Sequence, residues 1–347
     1  MEGEVRQGAT LPLRVGVLQF FSWPGRRVPL EQVYARALER IEIMDRGGYE
    51  AVWLAEHHFS TYSVCPSVHL MATHVAARTR RLRIGTAVSL AAFYHPLRLA
   101  EEVALLDVLS GGRVYWGAGR GFDPREFEAF GVGVDESFER FHEHVEIVLA
   151  AWRGGKLRWK GRFHRFEGVE VLPRPLQDPH PPVWLAASSP RAVEWSARHG
   201  YSILMDPHSA HSEIGRKREL YWRELAGAGH SPGGRTLPVA RLVAVADTAG
   251  EAEAIARRGA EWTLGSYARP AGAAIFGAAD GPAQGAVPAS DPVQRYLDGV
   301  ILYGTPDRVV DEIARLREEI GLDSLLCAPL SHGSFLRFTD AVLPRLA

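Results

Sequence analysis

Four short stretches of the 347-residue chain bring together residue types that can do chemistry. Glu56-His57-His58-Phe59 sets an acid beside two imidazoles, and a histidine near neutral pH can donate or accept a proton. Adjacent histidines share a metal ion poorly, and no Cys/His or carboxylate/His set stands at zinc spacing. Proton handling is the chemistry expected of His57; the plainer alternative is a loop histidine bonded to a carbonyl. Gly117-Ala118-Gly119-Arg120-Gly121 places a guanidinium among glycines, which lets a ligand approach the backbone and a phosphate take paired hydrogen bonds. Ala187-Ser188-Ser189 runs into Pro190, a helix-starting residue, so outward backbone N–H groups there suit an anion. Simple N-capping by Ser189 is the competing reading. The fourth stretch is Asp206-Pro207-His208.

These stretches share a position: each follows a short apolar run. Runs at 14–19, 51–55, 83–87, 114–116, 183–186, 203–205, 238–245 and 324–328 read as strands, apolar at odd and even positions alike. That pattern marks a parallel sheet covered on both faces. Helical periods follow them at 29–46, 67–79, 96–110, 138–152, 190–199, 213–226, 249–264 and from 305, with a last helix at 335–346. In the first, Val33, Ala37, Ile41 and Met44 make one buried stripe. Eight strands alternating with helices predict an α/β fold, a (β/α)8 TIM barrel in one domain spanning 1–347. An open doubly wound sheet is the alternative. A barrel needs about 250 residues, leaving room for a hairpin excursion at 156–172 and a Gly/Ala/Pro-rich loop at 265–291. In such a barrel the loops after the strands carry the active site, so Arg120 and Ser189, after neighbouring strands, are expected to meet around one phosphate. The glycines do not run as GxGxxG into a helix, so a mononucleotide or flavin fits as readily as a dinucleotide.

Composition narrows the classes. With 40 Lys+Arg against 41 Asp+Glu the net charge is −1, which gives no footing for nucleic acid. Cys65 and Cys327 are the two cysteines, too few for a disulfide framework, and a reducing, cytoplasmic setting is expected. No run of 18 apolar residues predicts a membrane span, and 1–13 lacks the basic start and apolar core of a signal peptide. His69, His74, His142 and His144 fall on predicted helices, where packing or surface roles are expected; Trp23, Phe59, Phe93 and Tyr94 suggest an apolar pocket.

Several segments carry a resemblance. VWLAEHHFS (52–60), LRIGTAV (82–88) with FYHPLR (93–98), LLDVLSGGRVYWGAGRGFDPREFEAFG (105–131), PPVWLAASSPRAVEWSARHG (181–200) and YGTPDRVVDEI (303–313) are similar to the bacterial luciferase-like flavin monooxygenases, and the layout is that of their α-type chain. The resemblance runs over nearly the whole sequence. It implies that His57 is the active-site histidine and that Arg120, Ser188 and Ser189, with Gly119 and Ala187 beside them, hold the flavin phosphate. Arg140 aligns, within one residue of register, with another phosphate-contacting arginine. Ala87-Val88 aligns with a non-prolyl cis peptide that supports the flavin ring. The 265–291 loop aligns with a mobile lid. In two places this chain departs from the family. Gly119 replaces a reactive cysteine of light-emitting relatives and is expected to leave room beside the flavin, and Ala192 replaces a hydroxyl residue at the phosphate end.

The function so implied is oxidation of a small, apolar organic substrate by O2 through a C4a-peroxyflavin. The flavin is reduced FMN delivered by a separate NAD(P)H:flavin reductase. Hydride transfer with deazaflavin F420 on the same barrel is one alternative, and a non-catalytic companion subunit is another. A homodimer pairing through 67–79, where Ala72, Ala76 and Ala77 are small, completes the expectations.

Overall fold

The computed structural model describes residues 12–267 and 291–346, so most of the 265–291 loop expected as a lid lies outside the described residues. The strands are β1 (Arg14–Gln19), β2 (Ala51–Leu54), β3 (Arg83–Thr86), β4 (Ser89–Leu90), β5 (Val114–Gly119), β6 (Lys156–Lys160), β7 (Arg165–Glu170), β8 (Val183–Ala186), β9 (Ser202–Leu204), β10 (Val239–Val245), β11 (Leu302–Gly304) and β12 (Ser324–Pro329). Parallel pairing runs β12–β1–β2–β3–β5–β8–β9 on one side and β12–β10 on the other. The bridge between Met205 and Val239 closes the ring, with Met205 N–H donating to Pro238 O at 2.9 Å and Ala240 N–H to Met205 O at 3.1 Å. Eight parallel strands thus form a barrel, as the alternation predicts. β6 and β7 are the expected antiparallel hairpin.

Both faces of the strands are buried for separate reasons. Val17, Val52, Ile84, Trp116, Ile203, Val243 and Leu325 pack outward against the helices, while Leu18, Trp53, Trp184, Leu242 and Leu326 fill the lumen. The lumen floor is aromatic: the Trp53 ring lies 5.7 Å from Tyr115 and 5.3 Å from Trp184, and those two rings are 4.9 Å apart. Glycine makes space for that floor. A Cβ on Gly85 would sit 2.5 Å from Trp53 Cε3, and one on Gly117 would run into the Thr86 carbonyl. Thr86 Oγ1 takes Gly117 N–H at 3.0 Å and donates to Gly117 O at 2.7 Å.

That packing corrects one boundary. The run from Gly117 reads as a loop in the sequence, yet β5 continues to Gly119, because the lumen side has no room for side chains there. The helix Pro124–Phe130, the helix Pro292–Gly299 and the three-residue β11 are further additions. Ala72 and Ala76, expected to form a small-residue contact face, are buried inside this chain, whereas Ala77 and Leu70 are exposed. Among the described residues no helix is long and apolar enough to cross a membrane.

Two glycine substitutions should move stability in opposite directions. Gly85→Ala presses on Trp53 and is expected to cost about 1–3 kcal/mol. Gly250→Ala, in the helix Ala249–Tyr267 with open space around it, should stabilise by about 0.5 kcal/mol. Urea denaturation of the two variants checks both signs.

Candidate active site

The loop after β2 divides its ionisable residues between support and display. Glu56 is buried, and its carboxylate accepts from His58 Nε2 at 3.0 Å, from the Tyr94 hydroxyl at 3.1 Å and from Leu90 N–H at 3.4 Å. These bonds tie the loops after β2 and β3 together. His58 is therefore a tether, its own N–H donating to Glu126 Oε1 at 2.9 Å. His57 is displayed. Its ring meets Tyr62 edge-on at 5.1 Å, Phe122 at 5.9 Å and Phe20 at 6.5 Å, and Nδ1 lies 3.8 Å from Glu126 Oε1. Of the aromatics expected to line a pocket, Tyr94 is committed to Glu56 and Trp23 donates to Val28 O at 2.7 Å. Phe59 is exposed, and Phe93 packs on Phe127 and Phe130.

After β3 the Ala87–Val88 peptide bond is cis. The next residue, Ser89, is fully buried, and its hydroxyl pairs with His69 Nε2 at 2.9 Å, while His69 Nδ1 faces Glu102 at 3.0 Å. His69 therefore packs behind the strand-end loop. The space beside Gly119 is not open as expected: a Cβ there would meet the Val88 side chain and come within 3.4 Å of Ala186 Cβ. Val88 occupies the room that glycine leaves.

The anion end lies where β5 and β8 finish. Arg120 Nη1 donates to Ser137 Oγ at 2.9 Å, and its guanidinium lies 5.8 Å over Phe127. Burial, and after it the positive charge of Arg191, pulls the Arg120 pKa below the ordinary arginine value. Arg191 was not among the expected residues. It follows Pro190 in the helix Pro190–Arg198, with its guanidinium 3.9 Å over Phe138 and 3.6 Å from Glu139. Ser189 caps that helix, its Oγ accepting Ala192 N–H at 3.3 Å, and Ser188 is exposed beside it. Ala187 is buried, with its N–H donating to Leu204 O at 3.3 Å, so it forms wall and offers no donor.

Arg140 is placed differently from the expectation. Its Nε and Nη2 donate to Glu136 Oε1 at 2.9 and 2.6 Å, and its guanidinium lies 4.5 Å over Phe163 of the hairpin. Spacing of four along one helix pairs it with Glu136.

With this geometry in place, the comparisons decide the family. A family model described as luciferase-like monooxygenase matches residues 13–324.

The chain belongs to the luciferase-like monooxygenase family.

It is 33% identical over 187 residues to the oxygenase component of the flavin-dependent trigonelline monooxygenase of Acinetobacter baylyi, covering 53% of this chain and 52% of that one. Identity to the alkanal monooxygenase alpha chain of Aliivibrio fischeri is 25% over 322 residues, 87% of this chain and 90% of the relative. The crystal structure of the monooxygenase RslO1 from Streptomyces bottropensis matches with a TM-score of 0.83 at 28% identity, covering 96% of this chain and 100% of that one. The chain spans about half the length of the first curated relatives it matches.

In this luciferase-like monooxygenase a second histidine approaches the mouth from the opposite wall. His208 Nε2 and Nδ1 lie 3.3 Å from the hydroxyls of Tyr62 and Tyr296. Its loop is held by Asp206, whose carboxylate accepts the N–H groups of His208 and Ser209 at 2.9 and 2.8 Å and faces Lys217 Nζ at 3.2 Å. Burial pushes the Asp206 carboxyl up, but Lys217 and His208 together outweigh it and hold the group down at about 2. The sequence stretch Asp206-Pro207-His208 was the signal for this pair, although it assigned them no role.

Burial is the largest cause that lowers four imidazoles: His142 and His211 to about 3, His144 and His208 to about 4. Each ring stays neutral in the fold below the usual 6.5, so the unfolded chain binds more protons there. The stability they contribute is complete above about pH 6.5 and lost as pH falls toward 4 and 3. Asp206 acts only further down, between its ordinary 3.8 and about 2. Urea midpoints should therefore fall between pH 6.5 and 4. His142→Phe, which keeps a ring against Trp195 (3.5 Å in the native stack), should flatten that slope by up to about one proton.

Proposed function

We propose that this luciferase-like monooxygenase uses reduced FMN and O2 to oxidise a small, apolar organic substrate. In this reading a separate NAD(P)H:flavin reductase delivers the reduced FMN. The observation that carries the proposal is the placing of Arg120, just after β5, and Ser189, at the start of the helix Pro190–Arg198, where two paired strands finish, with one short helix setting Glu126 against His57 and Phe127 against Arg120. The Arg120 and Arg191 guanidiniums with the Ser188 and Ser189 hydroxyls form a donor set that fits a phosphate monoester. Bound reduced flavin supplies the two electrons with which O2 puts one oxygen atom into the substrate and the other into water.

The chain's own residues do the rest. Arg120 and Arg191 fix the anionic tail, and the Val88 side chain, filling the space beside Gly119, backs the ring. His57 moves the proton. Phe20, Tyr62 and Phe122 around it give the reacting centre apolar walls that limit water. A reducing, cytoplasmic setting suits Cys65 and Cys327, both buried and unpaired.

F420 also bears a phosphate, so the binding experiment has three arms: FMN, riboflavin and F420. Arg120→Ala and Arg191→Ala should each weaken FMN binding about 10- to 100-fold, the worth of a charged hydrogen bond, and leave riboflavin binding unchanged. Equal losses for both flavins would remove the phosphate assignment, and tighter binding of F420 than of FMN would favour hydride transfer. Reduced FMN on the protein, mixed with O2, should give a transient absorbing species absent from free flavin. Oxidation at the free-flavin rate without a transient would remove the monooxygenase reading.

We also propose a homodimer. Leu70, Leu105, Val108 and Leu109 are exposed on the adjacent helices Val68–Arg78 and Pro96–Ser110, a patch that a second copy would cover. Leu105→Glu with Leu109→Glu should convert a dimer to monomer in light scattering; a monomeric native protein would refute the pairing.

A further inference from the structure

Glu126 is a carboxylate at the barrel mouth that the fold leaves half-satisfied. Its side chain is 1% exposed. Oε1 accepts His58 N–H at 2.9 Å and lies 3.8 Å from His57 Nδ1, while Oε2 is buried with no hydrogen-bond partner among the described residues. Glu56, next to it in space, shows the contrast, because both of its oxygens receive donors. A buried acceptor without a donor is costly and persists where it serves a purpose.

We propose that Glu126 is a positioning residue for His57, drawing Nδ1–H toward its carboxylate so that Nε2 carries the lone pair. The partner of one ring nitrogen sets the protonation of the other, and a histidine in water otherwise favours the Nε2–H form. The role of Glu126 rests on the reading of His57 as the proton-handling group. It adds to that reading the atom through which the proton moves and the group that enforces it.

The test is nitrogen NMR of flavin-free protein labelled with 15N-histidine, recorded above neutral pH, with the His57 signals assigned by their loss in His57→Gln. In the native chain Nδ1 should resonate as protonated and Nε2 as bare. Glu126→Gln, whose amide oxygen can keep the His58 N–H, should retain that pattern. Glu126→Leu, which removes the acceptor, should reverse it. A native His57 in the Nε2–H form overturns the proposal whatever the variants do, so a Leu variant that fails to fold offers no escape. An unchanged pattern in a folded Glu126→Leu protein overturns it equally.

In the flavin-loaded enzyme Glu126→Leu should lower turnover on the order of 10-fold, by analogy with partners that orient metal-bound histidines. That loss should vanish in a His57→Ala background, and a loss that persists there overturns action through His57. Because the NMR needs no flavin, failure of FMN to bind leaves its result intact. Turnover unaffected by His57→Ala would instead strike the proton-handling reading.

Discussion

One seven-residue helix couples the two ends of the candidate site. Pro124–Phe130 starts at Asp123, whose carboxylate accepts Arg125 N–H at 2.9 Å, and ends at Gly131 in the left-handed region, φ 66°. Consecutive residues on it serve opposite ends: Glu126 faces His57 and His58, and Phe127 lies under the Arg120 guanidinium. Phe93 holds the helix down through rings 5.0 Å from both Phe127 and Phe130. A shift of this helix would move the surroundings of His57 and Arg120 together. Their separation is therefore set by a rigid element rather than by two independent loops.

The barrel below supplies a floor and a reason for the glycines. Trp53 crosses the lumen because Gly85 and Gly117 omit the side chains that would strike it or its neighbours. Other glycines of the same segment serve structure alone. Gly111 and Gly112 adopt positive φ and deliver Arg113, whose guanidinium donates to the carbonyls of Ala76, Thr79, Leu82 and Ser110 and to the Thr79 hydroxyl. The SGGR stretch is thus a clamp between the helix Val68–Arg78 and β5, although it carries as much of the family resemblance as the residues at the mouth.

The sequence made the barrel legible because a strand buried on both faces has to be apolar at every position, and that pattern survives without any partner in view. It hid the bridging helix, which is too short to show a period and is framed by Pro124 and Gly131 as a turn would be. His57, Arg120 and Ser189 were legible from their place after strands. Arg191 was not, since its importance comes from a neighbour on another element and from the Phe138 ring beneath it. Arg140 pairs with Glu136 through a spacing of four that was visible in the sequence and already offered that guanidinium a local partner.

Charge at the mouth is divided in a way that gives a bound molecule a direction. Arg120 and Arg191 stand at one end with Glu139 as the carboxylate in reach; Glu56 and Glu126 are buried at the other. In the proposed reading a molecule with an anionic tail and a polar ring would enter tail toward the arginines, since the reverse pose would set its phosphate against two carboxylates. The two acids are not equivalent. Glu56 has a donor for every oxygen, from His58, Tyr94 and Leu90. Glu126 keeps Oε2 without a partner among the described residues, while its Oε1 accepts His58 N–H and lies 3.8 Å from His57 Nδ1.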